Sequence, residues 1–239
     1  MDGHGLYGRE DECAAIDALI DRARAAAGDA LVLTGEPGMG KTALLSYAAD
    51  RADGMRVLRA HGVHAESRLP FAGLHALLRP ALDLLPSLPV TQADAVSAAL
   101  GLAEPSGPSR FLVAAGVLGL LAELAETEPV LCLVDDAQWV DGSSMDALLF
   151  AARRIESDRL AVLVATRPGG LESPGLPELW LARSAQTRPT SCWPSTRPSW
   201  TCRRAAGSSS WPRATRWRWS SSATSSLRRR TPRIPAGPS

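Results

Sequence analysis

The chain is short of lysine, and it also lacks the marks of a secreted or membrane-spanning protein. Lys41 is the only lysine, and every other basic residue is arginine. Residues 1–5 contain no basic segment leading into an apolar one, so no signal peptide is indicated. The longest apolar run, residues 111–122, is too short to cross a bilayer. We therefore expect a cytoplasmic protein that makes no contact with a membrane.

Cysteine and histidine are too few and too scattered to indicate a metal centre. The four cysteines lie at positions 13, 132, 192 and 202, and none has a partner at metal-ligand spacing. Free thiols in a reducing compartment are the simplest interpretation. Of the four histidines, only His61 and His64 are close together, and we expect both in a loop without a ligand set around them.

Acidic residues are missing from the last quarter of the chain. Residues 1–180 hold all 25 acidic residues and 14 basic ones, a net charge of −11, whereas residues 181–239 hold 12 arginines and no Asp, Glu or Lys. Val, Ile, Leu, Met and Phe occur in that tail only three times. So little apolar area cannot offset a chain entropy of about 1–2 kcal/mol per residue. The sequence predicts a folded domain over 1–180 and a disordered basic tail over 181–239.

Within residues 1–180, helical and strand patterns alternate. The periodicity predicts helices over 9–27, 41–52, 71–85, 92–102, 110–126 and 143–155, and strands over 30–34, 55–60, 130–134 and 160–166. This alternation is typical of an α/β fold with a parallel sheet flanked by helices. Residues 130–134 are almost all apolar, as expected for a central parallel strand covered on both faces.

Residues 35–42, which we call the phosphate cradle, match the P-loop pattern G-x-x-x-x-G-K-[S/T]. An apolar strand precedes them and a helix follows. Glycines let the backbone N–H groups face phosphate oxygens, and the helix adds its positive end. The pattern predicts a P-loop NTPase that binds ATP and Mg²⁺, with Lys41 on the phosphates and Thr42 on the metal. The alternative is a glycine-rich turn without a ligand. The nucleotide-binding residues are predicted to be Gly35, Glu36, Pro37, Gly38, Met39, Gly40, Lys41, Thr42 and Ala43.

Two further strands end in residues that suit a nucleotide site. The strand 130–134 runs into Asp135 and Asp136, and a P-loop protein uses a strand adjacent to the cradle to bring an aspartate to the Mg²⁺. Asp135 is the predicted metal ligand, and Asp136 is the predicted group that orients or deprotonates the attacking water. Arg167 follows the strand 160–166, where it can sense the γ-phosphate, because strand carboxyl ends line the ligand crevice. The alternatives are an acidic strand-to-loop transition and an exposed arginine before a Pro-Gly turn.

Three segments resemble a known family. Residues 6–12 (Leu-Tyr-Gly-Arg-Glu-Asp-Glu), together with the cradle, resemble the STAND branch of AAA+-like P-loop ATPases. Residues 65–80 and 133–143 resemble the ATPase domain of large ATP-binding regulators of the LuxR family, typical of actinobacteria. The resemblance covers about residues 3–180.

The resemblance implies a transcriptional switch driven by ATP binding and slow hydrolysis, with ATP and ADP as the ligands. It places the segment Gly8-Arg9 near the adenine. Such regulators also carry a lid, a helical-repeat sensor and a DNA-binding helix-turn-helix, and none of the three patterns is found in this sequence. DNA binding is therefore expected only through a module that this chain lacks, and the oligomeric state stays open.

The tail composition suggests a shifted reading frame. GC-rich leucine codons read out of frame yield tryptophan, and five of the seven tryptophans lie in the tail. Read in the other frame, residues 209–220 can give L-E-L-A-A-G-N-P-L-A-L-V, which resembles the lid of the family. The hypothesis is a frame slip near Trp180 that truncates the ATPase and replaces its lid. The alternatives are a basic, aromatic arm that binds nucleic acid through phosphates and base stacking, or a non-functional product.

Overall fold

A computed structural model describes most of the chain up to residue 182. The described residues are 6 and 8–182, without 105, 106, 108, 173 and 174. The chain divides into two compact units, Met1–Pro189 and Thr190–Ser239, and every described residue belongs to the first. The prediction of a disordered tail therefore falls outside the described residues, except at positions 181 and 182.

Five parallel strands form one sheet in the order β2-β3-β4-β1-β5. The strands are β1 Asp29–Thr34, β2 Arg56–His61, β3 Val130–Asp135, β4 Leu160–Thr166 and β5 Glu178–Trp180. The predicted parallel α/β sheet is confirmed. β5 was not predicted, because this three-residue edge strand is mostly exposed and has no apolar run that would reveal it.

Helices cover both faces of the sheet. The helices are α1 Glu10–Arg24, α2 Lys41–Arg51, α3 Ala72–Leu78, α4 Val90–Ala99, α5 Arg110–Thr127 and α6 Gly142–Ala152. α1 and α2 pack on one face, where they meet Leu131 and Leu133 of β3. The other four lie on the opposite side, in one hydrophobic cluster with the alternate residues of the same strand, and α4 packs there on α5. No helix within the described ranges combines the length and apolar character needed to cross a membrane.

Three predicted boundaries are wrong for identifiable reasons. The single helix predicted over 71–85 is α3 followed by a 3-10 helix, Arg79–Ser87. Pro80 has no N–H to donate to the preceding turn, so the α-helix stops there. α1 ends before position 27 because Ala26 takes a left-handed conformation with φ of 54°. His61 does not lie in a loop but is the last residue of β2.

The first residue of the predicted tail belongs to the core of the domain. Leu181 is 6% exposed, and its N–H donates to the carbonyl of Thr34 at 2.8 Å. A Cβ added to Gly35 would lie 3.0 Å from the Cβ of Leu181, so this side chain packs directly against the start of the cradle. The chain after β5 thus supports the cradle from the edge of the sheet.

Candidate functional site

The phosphate cradle joins β1 to α2 through a tight turn. Gly38 and Gly40 have φ of 81° and 86°. Residues with a Cβ adopt such left-handed backbone conformations only at a cost in free energy. The turn leaves a set of backbone N–H groups that donate to no acceptor among the residues described; they belong to Gly38, Gly40, Lys41, Thr42 and Ala43. Unpaired amides at a helix N-terminus form a site suited to an anion.

Lys41 is buried inside the cradle. Its side chain is 7% exposed, and Nζ donates to the carbonyls of Gly35 at 2.6 Å and Glu36 at 3.0 Å. Burial lowers the pKa of Lys41 from its usual value, although the charges of Asp136 and Asp135 raise it in part. The ammonium group is held by two neutral carbonyl oxygens that an anionic ligand can replace.

Thr42 and Asp135 meet at the carboxyl ends of the strands. The Thr42 hydroxyl donates to Oδ2 of Asp135 at 2.8 Å. The end of β3 therefore lies beside the cradle, although β4 separates β3 from the cradle strand β1 in the sheet. The pair forms because α2 packs on both β3 and β4.

Asp136 follows in a left-handed conformation, with φ of 47° and ψ of 46°. Such a conformation at a non-glycine residue costs of order 1–3 kcal/mol, and it recurs at functional sites. The backbone N–H of Asp136 donates to Oδ1 of Asp135 at 2.9 Å, so the carboxylates of Asp135 and Asp136 differ in their hydrogen-bond partners. The turn then leads into a 3-10 helix, Ala137–Trp139.

Arg167 lies at the end of β4, on the same edge of the sheet. Its guanidinium carbon is 5.8 Å from the centroid of the Trp139 ring, and its charge contributes to the lowered pKa of Lys41. The backbone beside it is tied to the cradle, since the N–H of Gly35 donates to the carbonyl of Thr166 at 3.3 Å. The structure therefore brings Arg167 within electrostatic range of the cradle, beside the two aspartates.

Gln138 is a site residue for which the sequence pattern indicates no role. Its Nε2 donates to Oδ1 of Asp136 at 2.7 Å, and its Oε1 accepts from the N–H of Arg167 at 3.2 Å. A lone glutamine after two aspartates carries no chemical signal of its own. Only the fold, which places the ends of β3 and β4 side by side, reveals the connection.

Within the segment Gly8-Arg9, the side chain of Arg9 contacts the cradle. The Arg9 guanidinium is buried, and it donates to Oε1 of Glu12 at 2.6 Å and to the carbonyl of Met39 at 3.1 Å. Gly8 is exposed and has φ of 74°. Arg9 thus supports the cradle turn, while proximity of this segment to an adenine stays a prediction.

The metal chemistry that suits the site is that of magnesium. In the described part of the chain, no three His, Cys, Asp or Glu side chains come together as a metal cluster. Mg²⁺ needs few protein ligands, since water and phosphate complete its octahedron, and the oxygens of Thr42 and Asp135 fit that requirement. The two residues also line an open pocket of about 260 Å³ with Arg59 and His61, so solvent reaches the position.

The parallel sheet, the glycine-rich turn with its buried lysine, and the adjacent threonine and aspartate define a P-loop, nucleotide-binding ATPase domain. The sequence model of the AAA ATPase domain family matches residues 5–164 of the 239. This chain belongs to that family. No curated protein of similar sequence was found.

Solved structures that this chain resembles include the RuvB Holliday junction branch migration motor of Thermotoga maritima, 19% identical, with a TM-score of 0.36 over 71% of this chain and 45% of that one. PCH-2 of C. elegans is 16% identical, with a TM-score of 0.40 over 74% and 43%. The AAA domain of FIGL-1 is 15% identical, with a TM-score of 0.39 over 75% and 53%. The chain thus spans about half the length of each.

Proposed function

We propose that this chain binds Mg²⁺-ATP in the cradle and hydrolyses it slowly. The observation that carries the proposal is the 2.8 Å hydrogen bond between Thr42 and Asp135, beside backbone amides that have no acceptor within the described residues. Two oxygen ligands for a cation and a ring of donors for an anion lie next to each other. In a magnesium–triphosphate pair, the cation suits the two oxygen ligands and the anionic phosphates suit the donors.

Each group in the site has a role in ATP binding or hydrolysis that follows from its chemistry. The amides of the cradle bind phosphate oxygens, and Lys41 exchanges its two carbonyl partners for the β- and γ-phosphates. Magnesium, when bound, neutralises charge on the phosphates. Asp136 accepts a hydrogen bond from the attacking water and so orients it, and Arg167 donates to the γ-phosphate.

The biological role we propose is that of the ATPase domain of a STAND-type regulator in the LuxR family, acting in the cytoplasm of an actinobacterium. The support is the resemblance of residues 6–12, 65–80 and 133–143 to that group. The second and third segments also pack on each other: the N–H groups of Phe71 and Gly73 donate to the Asp141 carboxylate.

The change in composition near Trp180 supports a further part of this proposal. Residues 1–180 form the ATPase domain, and 181–239 derive from a slipped reading frame. Sequencing the gene across codon 180 tests this directly. Tail codons that do not give a lid-like string in a shifted frame would remove the hypothesis.

Thermal unfolding of the full chain, with and without Mg²⁺-ATP, tests nucleotide binding. We expect ATP to raise Tm through binding to the folded state, and Lys41→Ala to abolish most of that shift. Arg51→Ala is the matched control, since it removes a cation from the exposed end of the same helix and leaves the cradle intact. A wild-type Tm that does not respond to Mg²⁺-ATP contradicts the proposal.

The arginines and tryptophans of the tail favour one alternative, a nucleic-acid-binding arm. Deleting residues 183–239 separates the two functions, because Leu181 keeps its place in the core. An arm predicts that binding to single-stranded nucleic acid disappears with the deletion while the ATP-dependent Tm shift remains. Loss of the ATP shift would tie the tail to the nucleotide site instead.

A further inference from the structure

Gln138 connects the two strand ends that flank the cradle. Its amide nitrogen donates to the Asp136 carboxylate at 2.7 Å. Its amide oxygen accepts from the backbone N–H of Arg167 at 3.2 Å and from the hydroxyl of Thr166 at 3.4 Å. One side chain therefore joins the end of β3 to the end of β4, and both of its polar atoms are used.

We propose that Gln138 is a positioning residue for the terminal phosphate of ATP. The inference rests on the proposed function, in which Asp136 orients the attacking water and Arg167 contacts the γ-phosphate. ATP does not have to contact Gln138 itself. The amide fixes the distance and orientation between them, so that both meet the same phosphate.

The chemistry of an amide suits this position. A carboxylate such as Asp136 only accepts hydrogen bonds, and a backbone N–H such as that of Arg167 only donates them. A side chain that links the two must donate at one end and accept at the other, which an amide does and a carboxylate or an apolar group does not. Glutamate at position 138 would keep the acceptor but set a second negative charge against Asp136.

The backbone conformation of Asp136 is a second reason why its hydrogen bond with Gln138 matters. Its left-handed φ of 47° turns the chain sharply after β3, and the Gln138 amide returns to the same carboxylate two residues later. Without that donor, the Asp136 side chain would lose its only side-chain partner in the described part of the chain. A carboxylate free to rotate places water less well, and misplacement of about 1 Å can reduce a rate by about a hundredfold.

The loop after β4 encloses Gln138 closely. A Cβ added to Gly170 would lie 2.7 Å from the Cβ of Gln138 and 2.9 Å from the Thr166 hydroxyl. Both distances are shorter than packed atoms tolerate, so any larger residue at 170 must displace the glutamine or the strand end. Gly170 therefore offers a way to disturb the position of Gln138 without altering its hydrogen-bonding groups.

The experiment uses the full chain and three variants, Gln138→Leu, Gln138→Glu and Gly170→Ala. Tyr47→Phe is the control, because it also removes a side-chain hydrogen bond, to Asp17 at 2.9 Å, but between α1 and α2. For each protein, Kd is measured for ATP and ADP with Mg²⁺, together with kcat and KM for hydrolysis.

We expect Gln138→Leu to reduce kcat by about tenfold to a hundredfold, the usual effect of removing a group that orients a site residue. The affinity for ATP, and with it the preference for ATP over ADP, should fall, so KM for ATP should rise in the same proportion. The ADP affinity and Tm should change little. Gly170→Ala should act in the same direction and Gln138→Glu more strongly. Tyr47→Phe should keep the wild-type kcat and nucleotide preference.

Two results overturn the inference while leaving the proposed function in place. One is a Gln138→Leu protein with wild-type kcat and wild-type preference for ATP. The other is an equal loss of ATP and ADP affinity, which would assign Gln138 a purely structural role in the cradle. A wild-type chain that binds no Mg²⁺-ATP, or binds it independently of Lys41, removes the proposed function and this inference with it.

Discussion

The Thr42 hydroxyl and the Asp135 carboxylate are joined by a 2.8 Å hydrogen bond although 93 residues separate them in the chain. Thr42 is the last residue of the cradle and the second residue of α2, whereas Asp135 is the last residue of β3. Because the fold already holds the two oxygens together, neither side chain has to move far to ligate a cation. The contribution of Mg²⁺ to nucleotide affinity should therefore depend on this pair.

Asp135→Asn is predicted to remove most of the Mg²⁺ dependence of ATP binding. The amide keeps the shape of the carboxylate but not its charge, and a hard cation prefers charged oxygen ligands. The affinity for ATP, titrated once in the presence of Mg²⁺ and once in the presence of EDTA, should differ strongly for the wild type and little for the variant. Asp83→Asn, at an exposed position of the 3-10 helix Arg79–Ser87, should behave as the wild type. An unchanged Mg²⁺ dependence in Asp135→Asn would exclude Asp135 as the metal ligand.

Arg167→Gln is predicted to reduce the affinity for ATP while leaving that for ADP nearly unchanged. The residue directly follows β4 on the cradle edge, and only ATP carries the γ-phosphate that Arg167 is proposed to contact. A charge-assisted contact of this kind contributes about 1.5–3 kcal/mol, so the ratio of the two affinities should change by at least about tenfold. Arg79→Gln, an exposed arginine outside the site, is the control. Parallel losses for both nucleotides would contradict a γ-phosphate contact.

Gly62→Ala is predicted to destabilise the fold and to reduce nucleotide binding at the same time. A Cβ at this position would lie 2.2 Å from the carbonyl oxygen of Asp136 and 2.9 Å from the N–H nitrogen of Val140. The backbone around the two aspartates would have to shift, and forcing an extra carbon into packed structure costs about 1–3 kcal/mol.

Urea denaturation and ATP titration measure the two effects of Gly62→Ala. Gly142→Ala is the matched control, since a Cβ there meets no atom within 4 Å. A second comparison is Gly28→Ala, where the Cβ would lie 2.1 Å from the carbonyl oxygen of Ile155. It should reduce stability by a comparable amount with less effect on the folded protein's nucleotide affinity. Normal stability in Gly62→Ala would contradict the packing argument.

The parts of the molecule that the sequence predicted well are those determined by nearby residues. The cradle needs a strand, six residues with glycines at two left-handed positions, and a helix, and all of these are visible in a window of about twenty residues. β4 was predicted at its observed limits because seven consecutive buried residues give an unbroken apolar run.

The parts that were missed depend on contacts between distant segments. Gln138 acquires its role only because β3 and β4 are neighbours in the sheet, and Arg9 acquires its contact to Met39 only because α1 packs beside the cradle. The position of β4 between the two functional strands was likewise not encoded in any local pattern. Strand order is a property of the whole sheet, and one sequence gives no direct measure of it.

Asp141→Asn is predicted to lower the free energy of unfolding by about 1.5–3 kcal/mol, the range for a hydrogen bond to a charged group. The Asp141 carboxylate is 4% exposed and caps α6 by accepting from the N–H of Ser144 at 2.9 Å. It also accepts from the N–H groups of Phe71 at 2.8 Å and Gly73 at 3.0 Å. An amide at this position would direct its NH₂ group at one of these donors.

Urea denaturation at neutral pH measures the Asp141→Asn effect. The matched control is Asp146→Asn, which makes the same chemical change at an exposed position of the same helix and should cost little. Equal stability of the two variants would show that the Asp141 carboxylate does not hold α3 and α6 together.

The buried thiol of Cys132 should make stability depend on pH in the alkaline range. Complete burial raises the pKa of Cys132 from 9.0 to about 12. Above pH 9 the thiol ionises in the unfolded chain but stays protonated in the folded one, so the unfolded state binds fewer protons. The free energy of unfolding must then fall as the pH rises from 9 towards 12, with a slope of at most about 1.4 kcal/mol per pH unit from this group.

Cys132→Ala isolates that contribution, because every other titrating group, including Cys13, remains in both proteins. The variant should be less stable at pH 8, since the smaller side chain leaves a cavity beneath α5 and α6. Between pH 9 and 10.5, the difference in the free energy of unfolding between the two proteins, measured by urea denaturation, should become smaller because the wild type is destabilised. A gap that stays constant over this range would mean that the unfolded chain does not ionise Cys132 ahead of the folded one.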